Sequence, residues 1–440
     1  MFTRKTIPFV IGSILLVAVA FLFLTRALDW TYVSELYKDE PAIIMEPEAV
    51  EVQTVELEVS VMLDQQKYDE LVLLSQRVSD RYPHIHVTFN NLVDQQMSFK
   101  EWESETQLGR LGDIQLVPNE WVVPLAIKGF YQPVDRLMNN DVLTDQLPSV
   151  IDALRWNGYL WAVPYETNPY LIFIHQKAYE GLNIKPVVMA PPVVLDNSLA
   201  LKDVSGASTF PDDQSAQGSD VTLPWGFTEW LERYEATAFN GPLLSWDEDQ
   251  LSSMLAWLSI WREDNDQPMK LSELSEQQLK ALQYLKQHPE FVRQSIDWDE
   301  EELPLLYMTT VADYFMKRDR IDAHYASSAV AAPLPWLNGK SFMMSSHTVH
   351  SEAAMLWIET MNRNQPESTV IHRKMYSTYS SDSMQHVLRE LLQQKLLNRQ
   401  LFAVDLDWVN QYEQLDIAWK AAVTIEEKLA LLLEKADAEE

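Results

Sequence analysis

From Val55 the chain alternates: Val55, Leu57, Val59, Val61 and Leu63 fall on one side, Glu56, Glu58 and Ser60 on the other. That period of two predicts a strand with one buried face. Tyr68, Leu71, Val72 and Val78 then recur at helical spacing until Pro83 ends the helix. Ile85, Val87 and Phe89 alternate again, predicting a second strand over 84–89. A polar helix, a short apolar strand over 114–117, a helix over 121–128 and a turn at Gly129 follow. Strands alternating with helices in this way predict an α/β sheet with largely parallel strands.

The rhythm breaks at 185–222, where Pro186, Pro191, Pro192 and Pro211 sit among Ser, Asp, Ala and Gln. This stretch reads as a long exposed insertion. Beyond Phe227 helical spacing dominates, over 228–237, 247–262 and 275–287. A short strand-like return at 328–334 precedes a helix over 351–361, and the remainder reads as helical down to an acidic tail. There is no internal repeat.

Ahead of the first strand, Ile7 to Leu24 form an uninterrupted, mostly apolar run. Eighteen residues at 1.5 Å each reach roughly 27 Å, near the ~30 Å of a bilayer's hydrocarbon. Arg4 and Lys5 lie before the run; Arg26, then Asp29, Glu35, Asp39 and Glu40, lie after it. The basic side belongs in the cytoplasm, so the bulk of the chain is expected outside the cell membrane on a single-pass anchor. The alternative is a cleaved signal peptide, with Ala18-Val19-Ala20 as a small-x-small site lying inside the apolar run. Residues 27–54, acidic and holding Pro41 and Pro47, read as a spacer.

Composition narrows the functions. A formal net charge of −31 argues against nucleic acid or anionic lipid as a partner, since phosphate contacts need clustered Lys and Arg. The absence of cysteine removes disulfides, thiolate metal sites and Cys nucleophiles, together with any lipid-modified Cys tether. Eleven glycines build no Walker A loop, dinucleotide fingerprint or nucleophile elbow, and no zinc-protease helix is present. His84 with His86, and His347 with His350, lack a third ligand for a metal. The acidic clusters at 247–249, 263–266 and 297–302 lack the glycine-centred loop of an EF-hand. The sequence therefore reads as neither enzyme nor metalloprotein, with no cofactor. Fifteen tryptophans are an excess that suits core packing and also suits stacking on the apolar faces of sugars.

Four ordered blocks carry a resemblance. Gly112-Asp113-Ile114-Gln115-Leu116-Val117, followed by Trp121 and by 128–135, is the first; Asn157-Gly158-Tyr159-Leu160-Trp161-Ala162-Val163-Pro164 with 171–175 is the second. Pro224-Trp225-Gly226-Phe227-Thr228-Glu229-Trp230-Leu231 is the third. Ala332-Pro333-Leu334-Pro335, with the helix from Ser351 and the block Thr424-Ile425-Glu426-Glu427-Lys428-Leu429, is the fourth. Together they resemble the family 1 extracellular solute-binding proteins of ABC transporters, the maltose-binding-protein-like group. The departures are the missing lipidation Cys, His175 in place of the family's Asn, Met308 to Asp313 without the family's Gly, and the 185–222 insertion.

The resemblance implies a two-lobed periplasmic-binding-protein-like fold (type II), which would follow the one N-terminal transmembrane helix read from the apolar run. Its parts would be an anchor over 1–26, the spacer, an N-lobe of 55–165 and 331–377, and a C-lobe of 170–329 and 380–440. Chain crossings are expected near 164–170, 326–332 and 375–380. A solute would be enclosed between the lobes by hinge closure, without any bond being made or broken. The function implied is capture of a carbohydrate, in particular an oligosaccharide, and delivery to an ABC permease; a membrane-anchored sensor on the same scaffold is the alternative. Asn119, Glu120 and Trp121 follow a strand end, where ligands gather in open α/β sheets. Tyr165, Glu166 and Asn168 are expected on the first crossing, facing the cleft, and Asp64, Gln66 and Lys67 after the first strand. Trp336 follows the second crossing, and Trp408 falls at the family's spacing for a stacking tryptophan. Trp121 and Trp408 are the leading pair.

Overall fold

The computed structural model describes residues 54–135, 148–179, 226–262, 270–331, 334 and 336–363, and 406–437, apart from 238, 248, 295 and 299–301. The apolar run 7–24, the spacer, the 185–222 insertion and the crossing near 375–380 lie outside the described residues. Among the described residues no helix is long and apolar enough to cross a membrane. Residues from Thr54 onward form one compact unit.

Strand β1 (Val55–Val61) leads into helix α1 (Gln65–Arg81), then β2 (Ile85–Asn91), α2 (Phe99–Gln107), β3 (Ile114–Pro118), α3 (Asn119–Ile127) and β4 (Tyr131–Gln132). Next come α4 (Pro148–Ala153), a small hairpin of β5 (Arg155–Trp156) and β6 (Tyr159–Leu160), and then β7 (Val163–Glu166). β8 (Tyr170–His175), α5 (Gln176–Tyr179), α6 (Phe227–Ala236), β9 (Leu244–Ser245), α7 (Leu251–Ile260) and α8 (Glu276–Gln287) continue the chain. β10 (Val292–Arg293), β11 (Leu306–Thr310), α9 (Val311–His324), β12 (Tyr325–Ala331) and β13 (Lys340–Ser345) come next. Helices α10 (Ser351–Arg363), α11 (Leu406–Ala421) and α12 (Ile425–Asp437) complete it.

The strands form two main sheets, which define an N-lobe and a C-lobe. The first runs β2-β1-β3-β13-β4 with β7 also on β13; the second runs β10-β9-β11-β8-β12. In the N-lobe β1 is parallel to β2 and β3, with Val55 opposite Ile85 and Val59 opposite Ile114. β13 enters antiparallel to β3, pairing Phe342 with Leu116. It has no alternation to betray it in sequence: Phe342, Met343 and Met344 are all buried, as befits a strand covered on both faces. The C-lobe strands β9, β10 and β11 fall outside the helices expected over 228–237, 247–262 and 275–287, in stretches where no strand was expected. β9 and β10 are two residues each and offer no period to read.

The chain passes between the sheets twice among the described residues, from β7 to β8 through Thr167, Asn168 and Pro169, and from β12 to β13. Gly339 sits just before β13. A Cβ there would strike the Asn119 amide and lie 2.8 Å from the Glu166 carbonyl, so the crossing packs closer than any side chain allows. Helix starts are capped locally: Ser98 and Glu101 form a capping box on α2, as do Ser275 and Gln278 on α8.

Candidate functional site: a cleft between the lobes

The carboxyl end of β1 opens onto a cleft of about 500 Å³. Leu63, Asp64, Gln66, Lys67 and Glu70 line it from the N-lobe. Tyr165, Glu166 and Asn168 come from the first crossing, and Ala312, Phe315 and Met316 from α9 of the C-lobe. Walls from both lobes, with the crossing as floor, are the arrangement that hinge closure needs.

Local chemistry fixes the polar side. Asp64 is the N-cap of α1 and accepts the Lys67 backbone N–H at 2.9 Å. That cap turns the Lys67 side chain toward the floor, where its ammonium donates to Glu166 Oε1 at 2.7 Å. Glu166 is buried, and Lys340 stands 3.7 Å from its other oxygen. Burial lowers the Lys340 ammonium, and Glu166 opposes that shift. A buried carboxylate held between two cations is a paired charge and an oriented acceptor. Gln66 donates to Glu70 at 3.3 Å on the exposed rim. Asn168 Oδ1 accepts the Ala312 N–H at 2.9 Å, joining the crossing to the first turn of α9.

The other side is apolar. Tyr165 is buried against Phe342 at 4.9 Å, and burial raises its phenol well above the usual range. Phe315 is half-buried and Met316 is 74% exposed on the rim. One face of donors and acceptors opposite one face of rings and a thioether suits a polyhydroxylated ligand with apolar ring faces.

Six residues singled out in sequence thus meet here: Asp64, Gln66, Lys67, Tyr165, Glu166 and Asn168. The other five do not line this cleft. Trp121 turns inward, edge-on to Phe99 at 5.7 Å and beside Trp102 at 6.1 Å, so the leading tryptophan belongs to the N-lobe core. Asn119 is buried in hydrogen bonds, accepting from the Ser341 hydroxyl and donating to the Trp336 carbonyl at 3.3 Å. Trp336 and Trp408 meet edge-on at 5.4 Å, under α11. Glu120 lies there too, with its Oε2 sealed from solvent and without a hydrogen-bond partner. Sequence reasoning missed Leu63, Glu70 and the α9 group of Ala312, Phe315 and Met316. Leu63 stood there as the last apolar position of the β1 alternation, and Ala312 only as part of an eroded glycine motif.

No family model and no curated protein matches the chain. Solved structures do. The galacto-N-biose-/lacto-N-biose I-binding protein of an ABC transporter from Bifidobacterium longum is similar at TM-score 0.54 and 11% identity, over 87% of this chain and 95% of that one. The sugar-binding protein MalE from Xanthomonas citri is similar at TM-score 0.53 and 13% identity, over 87% and 97%. An ABC-transporter solute-binding protein from Agrobacterium vitis, solved with D-mannitol bound, is similar at TM-score 0.52 and 11% identity, over 87% and 98%. The chain therefore has the two-lobed α/β fold of the ABC-transporter solute-binding proteins. The first two of these are named for the sugars they bind, and at these identities what is shared with this chain is the fold.

Proposed function

We propose that this protein is an extracytoplasmic carbohydrate receptor that encloses an oligosaccharide between its lobes and delivers it to an ABC permease. The observation that carries the reading is the cleft itself. Its floor holds Glu166 between Lys67 and Lys340, its far wall is Phe315 and Met316, and both lobes contribute. The shared fold with sugar-binding proteins supports the same reading. In it, Lys67, Glu166 and Asn168 bond solute hydroxyls while Phe315 and Tyr165 meet a ring face. Residues 7–24 hold the receptor at the outer face of the membrane.

A thermal-shift series of the full chain against mono- and oligosaccharides tests this. Ligand at a hundredfold excess over its Kd stabilises the native state by about 2.7 kcal/mol. For a fold of this length that raises the Tm by about 3 °C. The shift is expected with one saccharide class and is lost or sharply reduced in Lys67→Met and in Glu166→Gln. A folded sample that shifts with no saccharide ends the carbohydrate reading.

A further inference from the structure

Helix α11 touches both lobes. Its first two turns lie on the N-lobe, where Trp408 meets Trp336 and stacks on Tyr412 at 5.1 Å, and Glu413 Oε1 accepts the N–H of Phe99 at the start of α2. Its last turn faces the C-lobe, with Trp419 against Trp246 at 5.8 Å. Along its length it packs on α2 and α3 on one side and on α7 and α12 on the other. The helix is a strap across the two lobes, separate from the covalent crossings.

The seam between this strap and α3 encloses a carboxylate. Glu120, second residue of α3, keeps some surface as a residue, but its Oε2 is buried and no protein donor reaches it. The charges that act on it through space are Lys340 from β13, which favours its ionised form, and the carboxylates of Glu413 and Asp416 on α11, which oppose it. Lys340 is shared with Glu166, and Asp416 is paired with Lys420 at 2.6 Å. Tyr412, the other titratable group of α11 in the seam, is kept neutral by burial and by the nearby negative groups. From α2, Lys100 and Glu101 act on Glu413. Even with its own backbone N–H bonded to it, an ionised carboxylate with one oxygen buried and unpartnered, near two other carboxylates, is costly, whereas a protonated one is not.

We propose that Glu120 makes the α3–α11 seam a proton-operated clasp between the lobes. Protonated, Glu120 lets α11 rest on the N-lobe; ionised, it drives the strap away and frees the lobes to part. Burial, the largest cause, pushes the Glu120 carboxyl up to about 7. Released from the seam, the carboxyl returns toward the ordinary value near 4.3. The clasped state therefore takes up a proton between these two values. Clasping is complete at acid pH and is lost as pH rises to about 7. This holds with no saccharide present, so it stands or falls apart from the receptor reading.

The chain has no cysteine, so Leu73→Cys on α1 and Glu235→Cys on α6, both exposed, give one label pair across the lobes of the full chain. Spin-label distances recorded without ligand from pH 5 to 8.5 are expected to show a short interlobe distance at acid pH. A longer population should grow in as pH rises through about 7. Glu120→Gln is expected to keep the short distance throughout, and Asp416→Asn to shrink the long population at pH 8.5. A pH-invariant distance with Glu120 in place overturns the clasp, and so does a pH response that survives in Glu120→Gln. Should Glu120→Gln fail to fold, the labelled chain with Glu120 intact and Asp416→Asn still decide it.

Discussion

His175 lies in a cage of rings, 5.1 Å from Phe239 and 5.3 Å from Tyr325, and its Nδ1 accepts the Lys177 N–H at 3.2 Å. Burial first, then Lys177 and His324, push its imidazole down to about 4. In the unfolded chain the same group titrates near 6.5. The unfolded state therefore gains the proton first, and the contribution of a neutral His175 is intact above about pH 6.5. It is lost as pH falls toward 4. Glu120 acts with the opposite sign over an overlapping range, so the total slope is not informative, but a difference is. His175→Gln is expected to lose less stability than the parent between pH 6.5 and 4.5, read as Tm against pH; parallel curves would remove His175 from the account. The tryptophans carry a related lesson. Trp102, Trp230, Trp246, Trp257, Trp261, Trp357 and Trp419 are all under 2% exposed, so much of the excess that suggested sugar stacking builds the core.

At the scale of elements, the second crossing is where tolerance is least. Gly339 presses its backbone on Asn119 and Glu166, and its carbonyl accepts the Asn119 N–H at 3.0 Å. Gly339→Ala forces these groups apart and is expected to cost about 1–3 kcal/mol, the usual range for overpacking a filled site. The urea midpoint of the full chain measures it, and an unchanged midpoint would mean that the crossing yields. The same step places Lys340 at the start of β13, beside Glu166, so a shift in the crossing reaches the cleft directly. β13 itself was invisible in sequence because a strand buried on both faces has no period of two. The hinge strand β7, by contrast, begins at Val163 and Pro164, the end of the Asn157 to Pro164 block that carried the family resemblance.

At the scale of the molecule, buried apolar residues from both sheets join one continuous cluster, and α11 adds its Val409, Leu415 and Trp419 to it. Two lobes joined only by loops would melt independently; joined by a shared core and a strap, they melt together. Calorimetry of the full chain at pH 5.5, where the clasp is engaged, is expected to give a single transition for the two lobes. Two separable transitions there would show that α11 belongs to one lobe alone. A bound saccharide should move that one transition as a whole, since the cleft draws its walls from both sides.

The sequence by itself determined the local and the periodic features. The alternation of Val55 to Leu63 became β1, the spacing through Val78 became α1, and the end of β1 brought Asp64, Gln66 and Lys67 to a strand terminus where ligands gather. Those residues were legible because they follow a strand end in an open α/β sheet, a rule that pointed equally to Asn119, Glu120 and Trp121, which the packing turned inward. The tertiary structure alone decided which tryptophans face inward, since a Trp at a strand end and a Trp in a core have the same local pattern. It alone placed α9 opposite α1 to complete the cleft with Phe315 and Met316, more than 240 positions away in the chain. It also packed α11 on α3, the helix that carries Glu120, a contact between segments far apart in the chain. Periodicity reports a residue's own face; which distant face meets it is settled only when the two lobes pack.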